Sequence, residues 1–406
     1  MKLLIFAHTP PPLHGQSYMV DVLLRGLGGD RRRGRDVTQP ATAEDVHCYH
    51  VNARLSDSLQ AVGSVGPRKL WRLVRYCAEA VWCRFQYGVR TFYYVPAPPK
   101  RGAIYRDWIV LALCRPFFPR VIFHWHASGL GAWLEHDASG WERWITQKLA
   151  GQVELSVVLA EALAADAARL QPRRLAVLPN GISDPCPTFA ETLLPQRRSR
   201  LAERRRVLDS AASQVGETLV YRVLFLANCT RDKGLFDAIE AVIAANRELQ
   251  QTAPQLRMDL LVAGAFVDAA ERREFEEAAA AHTSTIHYQG FVAGETKTQL
   301  LRDADCLCFP SYYPAEGQPV SIVEAMAFGL SVTATRWRAI PEMLPNAVET
   351  VPIQDPVALS RALLASMSAD TALQSRSRFE QLFSRDAFLR GMRAAIESLE
   401  DEAGQR

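Results

Sequence analysis

The chain has 406 residues, nearly half of them hydrophobic and 22% charged, enough apolar material for well-built cores and too much for a globally disordered chain. Its formal charge of +3 is small for this length, so no nucleic-acid partner is expected, and the chain should divide into two domains of ordinary size. The eight cysteines are scattered, and the closest pair, Cys306 and Cys308, falls on one face of a strand rather than in a zinc or redox loop; reduced thiols in a cytoplasmic protein are expected.

Apolar runs of strand length start with KLLIFA at residues 2–7, which His8 and three prolines end too soon for a signal peptide or membrane span. VHCYHV, VRTFYYV, RVIFHWH, VELSVVLA and LAVLP follow, with helical stretches between them. Near-continuous apolar strands alternating with helices predict a parallel sheet, so residues 1–180 read as a doubly wound α/β domain. The rhythm breaks over 181–219: PNGIS, Pro179 to Ser183, is a turn in which Asn180 is architectural, and QRRSRLAERRR predicts a solvated linker helix. YRVLFLA, MDLLVAG, TIHYQ, DCLCF, LSVTAT and ETVPI then mark a second parallel-sheet domain over 220–383, within which Asp355 caps a helix with Pro356 at its first position. A last helix occupies about 385–400, in a closing segment 384–406.

In the first half, RKLWRLVRYCAEAVWCRFQYG sets Arg68, Lys69, Arg72, Arg75 and Arg84 among Trp71, Tyr76, Trp82 and Phe85. Two readings stand side by side: a core-packing helix with a charged outer face, or a peripheral contact with an anionic membrane, which Trp133, Trp141 and Trp144 could join.

Ligands of open α/β sheets bind beyond the carboxyl ends of the strands, which directs attention to the strand-end loops. Gly15 and Gln16 follow the first strand, and His126 ends the fourth, with His124 an alternate on the same face. In the second domain, Lys233 precedes Gly234 at a helix start, a place for a compact positive charge on a diphosphate. Gly264 closes one strand and Gly290-Phe291 follows another, either lining a pocket or serving as plain turns. The fullest signal is DADCLCFPSYYPAEGQPVSIVEAMAFGLSVTATR, residues 303–336: strand, irregular loop holding Glu316, a helix over about 319–328 holding Glu324, and a second strand. Gly317, Gln318, Pro319, Val320 and Ser321 bring the chain to the helix N-terminus, whose unpaired N–H groups and dipole suit a phosphate.

Glu316 and Glu324 within EGQPVSIVEAMAFG resemble the E-x7-E motif of retaining glycosyltransferases of family 4, the glycosyl transferases group 1. The resemblance implies the GT-B fold, two Rossmann-like α/β domains facing a central cleft, with the last helix crossing back to the first domain. It implies transfer of a sugar from a nucleotide-diphosphate sugar to a glycan or lipid-linked glycan in bacterial surface polysaccharide biosynthesis, with no cofactor and no metal. The basic-aromatic segment, not the resemblance, adds the inner face of the cytoplasmic membrane as one location for a cytoplasmic protein. By the same resemblance Glu324 holds the ribose, Glu316 orients the donor sugar, and His126 contacts the sugar and reaction centre. Lys233 neutralises the leaving diphosphate, and the backbone near Gly264 and Phe291 lines the nucleotide pocket. HTPPPLHGQ is similar to the family's PPPxGG loop, with Gly15 at the first glycine and Gln16 replacing the second. NCTRDKG is similar to GRxxxxKG, but Asn228 stands where the family has Arg, leaving Arg231 to compensate. Alternatives are a nucleotide-sugar 2-epimerase of the same fold and a catalytically degenerate transferase kept as a binding subunit.

Overall fold

The structure, a computed structural model, describes residues 1–11, 15–33, 46–54, 67–209 and 218–401; residues 12–14 of the HTPPPLHG loop lie outside them. It divides into two compact units, one of Met1–Ile182 with the chain from Arg385 onward, the other of Ser183–Ser384.

The first unit is built on six parallel strands, β1 (Lys2–Phe6), β2 (His47–Val51), β3 (Thr91–Tyr94), β4 (Arg120–His124), β5 (Leu155–Val158) and β6 (Leu175–Val177), in the order β2-β1-β3-β4-β5-β6. Side chains alternate along each strand, so each apolar run supplies two cores. Leu3, Ile5, Tyr93 and Ile122 pack with Met19, Val20 and Leu23 of the helix Gly15–Gly26 and with Phe388, Met392 and Ile396 of the closing helix Arg385–Asp401. On the other face Tyr49 stacks on Tyr87 of the helix Pro67–Tyr87, and Tyr94 donates to Asp107 of the helix Arg101–Cys114. The helix Gly140–Ala150 packs beside the latter, Trp108 donating to Thr146 at 3.1 Å. In the Pro67–Tyr87 helix only the inner stripe, Leu73, Cys77, Ala80 and Cys83, is core; the outer side carries exposed aromatic residues as well as charge, so a core helix with a charged face describes half of it.

The second unit has five parallel strands, β7 (Leu219–Leu226), β8 (Leu256–Ala263), β9 (Ile286–Gly290), β10 (Cys306–Phe309) and β11 (Ser331–Ala334), in the order β11-β10-β7-β8-β9. From β7 the chain winds one way to β8 and β9 and then the other way to β10 and β11, so the switch point lies between β7 and β10. ETVPI, expected as a strand, makes a single bridge from Val351 to Thr335, because Pro352 offers no N–H to extend the ladder. Asp355 caps the helix Pro356–Ser366 as expected, accepting from Ala358 N–H at 2.9 Å. Among the described residues no helix is long and apolar enough to cross a membrane.

The basic run folds as the helix Leu194–Asp209, and it is not a solvated one. Arg197 and Arg204 are buried. Arg197 donates to the carbonyls of Leu301, Ala304 and Phe328, Arg200 to that of Asp303, and Arg204 and Arg205 to those of Met367 and Ser368. These carbonyls end three helices, Gly294–Asp303, Val320–Ala327 and Pro356–Ser366. Helix C-termini leave carbonyls unpaired and carry the negative end of the dipole, so forked guanidinium groups satisfy them on both counts. Burial, then the neighbouring Arg200, pulls the Arg197 guanidinium down to about 10, which still leaves it charged at neutral pH.

Arg197→Met leaves three carbonyls without their donor and should lower unfolding stability by at least ~3 kcal/mol. The exposed neighbour Arg198→Met should stay within about 0.5 kcal/mol of the parent. Urea unfolding midpoints compare the two.

Candidate active site

Two of the expected residues, Lys233 and Glu316, meet at the switch point. After β7 the chain makes a 3-10 turn, Arg231–Lys233, and reverses at Gly234, whose φ of 78° suits glycine. A Cβ there would lie 2.2 Å from the Pro310 carbonyl oxygen, so the loop after β7 can press against the loop after β10 only with glycine in place. Tyr312 N–H donates to the Asp232 carbonyl at 2.8 Å and closes the join.

Across this join Lys233 Nζ donates to Glu316 Oε2 at 2.6 Å, and Ser311 Oγ donates to the same oxygen at 2.7 Å. Glu316 is buried, and the ammonium also lies 4.7 Å from the centre of the Tyr313 ring. The loop bearing Glu316 is pinned from β11, Thr335 donating to the Ser311 carbonyl and Trp337 to that of Tyr313. A largely desolvated pair of this kind is held firmly, since deleting one member strands the other's charge.

The helix Val320–Ala327 follows, with Pro319 just before it as the N-cap rather than within its first turn. Its Glu324 Oε1 accepts from Lys297 Nζ at 2.5 Å. Sequence reasoning missed Lys297, which sits one turn into the helix Gly294–Asp303. That helix carries the chain from β9, at the sheet edge, back to β10, so only the strand order reveals that it ends up beside Glu324.

Gly264 and Gly290 meet at the ends of β8 and β9, Gly264 N–H donating to the Gly290 carbonyl at 2.8 Å. A Cβ on Gly264 would fall 1.8 Å from the Ala227 carbonyl oxygen, so glycine here lets the ends of β7 and β8 close up. Phe291 is 77% exposed beside them. Asn228 is exposed in the loop after β7. Arg231 is turned to the helix Ala269–Ala280, donating to Glu274 at 2.7 Å with its guanidinium 4.4 Å from the Phe236 ring centre. It does not join Lys233 on Glu316.

In the first unit, Gly15 and Gln16 begin the helix Gly15–Gly26. Strand β4 stops at His124, so His126 lies two residues past the strand end instead of closing it. Its Nδ1 is 3.5 Å from Nδ2 of Asn180, which is buried; the residue read as architectural thus also meets the candidate histidine. His124 is fully buried, its Nδ1 2.5 Å from the Tyr93 hydroxyl and its ring 4.2 Å from that of His126. Among the described residues no group of three or more His, Cys, Asp or Glu could hold a metal ion.

Burial, and then the charge of His126, holds the His124 imidazole well below the usual histidine range, so it is neutral in the folded chain. Below about pH 6.5 the unfolded chain takes up a proton at this position that the folded chain refuses, and stability falls with falling pH. The melting temperature should therefore drop between pH 7 and pH 5.5, and drop less in His124→Gln; equal slopes would contradict the assignment.

Residues 221–368 match the family described as Glycosyl transferases group 1. The Escherichia coli protein described as the colanic acid biosynthesis glycosyltransferase WcaL is 27% identical over 193 residues, 44% of this chain and 45% of that protein. The match thus spans about half the length of that curated relative. The sucrose-phosphate synthase of Thermosynechococcus elongatus, 17% identical, covers 99% of this chain and 100% of its own with a TM-score of 0.64. Anabaena Alr3699/HepE, solved in complex with UDP and 16% identical, covers 98% of this chain and 100% of its own with a TM-score of 0.63. The second unit of this chain thus carries a domain of the glycosyl transferases group 1 family, on a chain of GT-B fold.

Proposed function

We infer that the chain is a retaining, metal-independent glycosyltransferase that moves a sugar from a nucleotide-diphosphate sugar to a glycan or lipid-linked glycan during synthesis of a bacterial surface polysaccharide, at the inner face of the cytoplasmic membrane. The observation that carries this reading is the Lys233–Glu316 pair, 2.6 Å long, at the switch point of the second unit and close in sequence to the Val320 helix start. A diphosphate seated at that helix start offers Lys233 a doubly charged partner and releases Glu316 towards the donor sugar. Departure of the leaving group puts negative charge on the diphosphate and positive charge on the anomeric carbon. Lys233 and the helix N–H groups stabilise the first, and Glu316 eases the second. Glu324, oriented by Lys297, accepts from the ribose hydroxyls. Retention and metal independence rest on the resemblance of the E-x7-E stretch, the acceptor class on the relative assigned to colanic acid biosynthesis. UDP in the Alr3699/HepE complex makes uridine diphosphate sugars the first donors to test.

Asn228 in the place of the family arginine, together with the engagement of Arg231 by Glu274, favours a second reading, a degenerate transferase that binds donor without turning it over. Turnover separates the two. With a donor found by thermal shift, Lys233→Met should lower kcat by roughly 10²–10³-fold, the range for a lost charge-stabilising group. Lys297→Met should instead raise the donor KM about tenfold with kcat nearly unchanged, the mark of a ground-state binding contact. Full retention of donor turnover in Lys233→Met would overturn the phosphate assignment, and product NMR checks that the anomeric configuration is kept.

A further inference from the structure

The outer side of the three helices on the second face of the first sheet is unusual for a water-exposed surface. Along the Pro67–Tyr87 helix, Trp71, Val74, Ala78, Trp82 and Phe85 recur at spacings of three and four and form one exposed stripe. Two further groups of rings lie on neighbouring elements of the same unit. Phe85 meets the half-exposed Phe117 at 6.0 Å between ring centres, and Trp141 of the Gly140–Ala150 helix packs edge-on to Trp108 of the Arg101–Cys114 helix at 5.7 Å. Trp144, one turn beyond Trp141, is 67% exposed. Indole and phenyl rings left in water on the Pro67–Tyr87 and Gly140–Ala150 helices and at the Phe117 turn signal a surface that something covers.

Charge says what covers it. Arg75 lies 5.6 Å from the Trp71 ring centre and Arg84 5.8 Å from that of Phe85, and Arg68, Lys69 and Arg72 occupy the same helix. Arg143 and Lys148 stand on the Gly140–Ala150 helix beside its two tryptophans. The acidic residues of the three helices are Glu79, Asp107 and Glu142, and each is held by a basic or hydroxyl partner, Arg32, Tyr94 and Tyr105 respectively. Rings interleaved with cations are the composition of a bilayer interface: the rings enter the headgroup boundary while arginines and lysines reach anionic phosphates. A second copy of the chain is the poorer occupant, because a symmetric pairing would set like charges against like.

We propose that this face, from Trp71 to Phe85 across Phe117 to Trp141 and Trp144, is a peripheral docking surface for an anionic bilayer. It deepens the reading of a lipid-linked acceptor by giving the first unit a means of meeting such a substrate at the membrane. Vesicle binding needs neither donor nor acceptor, so it succeeds or fails independently of the transferase reading.

The test is co-sedimentation of the full chain with phosphatidylglycerol–phosphatidylcholine vesicles and with phosphatidylcholine alone, at low and physiological salt. The anionic vesicles should carry the chain down, the neutral ones far less, and salt should weaken binding. Trp71→Ser with Trp144→Ser, and separately Arg72→Glu with Arg75→Glu, should each weaken vesicle affinity by about tenfold or more. All four positions are exposed, so melting temperatures should match the parent, and the charge-reversed pair keeps the test valid if the tryptophan pair fails to fold. Absence of binding to anionic vesicles, or unchanged binding by both variants, overturns the proposal. A dimer in size-exclusion chromatography that either variant converts to monomer would assign the face to a second copy instead.

Discussion

Lys233 and Glu316 reach each other across the join between β7 and β10, the two strands at which the second sheet reverses its winding. Much of the surrounding structure serves that meeting. Gly234 lets one loop press on the other, Ser311 shares the carboxylate oxygen, and Thr335 and Trp337 hold the Glu316 loop from the neighbouring strand. The pair is thus charge-matched, and hydrogen bonds from Ser311, Thr335 and Trp337 hold the loop that carries its carboxylate. Fixed dipoles and charges are what make electrostatic stabilisation effective, because no reorganisation is needed during reaction.

Rigidity behind the site has its own source. Arginines of the Leu194–Asp209 helix satisfy the carbonyl ends of the helices bearing Glu324 and Lys297. The two members of that second ion pair are therefore anchored through their helix termini to a common element. In a basic segment that looks like a solvated linker, Arg197, Arg200, Arg204 and Arg205 cap helix ends of the same unit.

Much of this was legible in the residues. Strands β10 and β11 fall where the apolar runs CLCF and SVTA place them, because strands buried on both faces leave a continuous hydrophobic signature. Glu316, Lys233 and the glycines could be found because each sits at a strand end with a recognisable neighbour, a proline, a glycine or a helix start. Lys297 could not, since a lysine on a polar helix has no local mark and its meaning comes from a crossover that passes two strands, β8 and β7. The buried arginines were hidden for a related reason: a run such as RRSRLAERRR looks the same whether its partners are water or carbonyls a hundred residues away. Arg231 shows the converse, a cation near the right motif that a surface glutamate on another helix draws aside.

If residues 228–234, 290–297 and 316–324 form one nucleoside-diphosphate site, a nucleotide should protect all three segments at once. Hydrogen exchange of the full chain, with and without a panel of nucleoside diphosphates, tests it directly. Exchange should slow in those three segments together and stay unchanged in the Pro67–Tyr87 and Gly140–Ala150 helices. Protection that misses the 228–234 and 316–324 segments, or none with any nucleotide, would contradict the account.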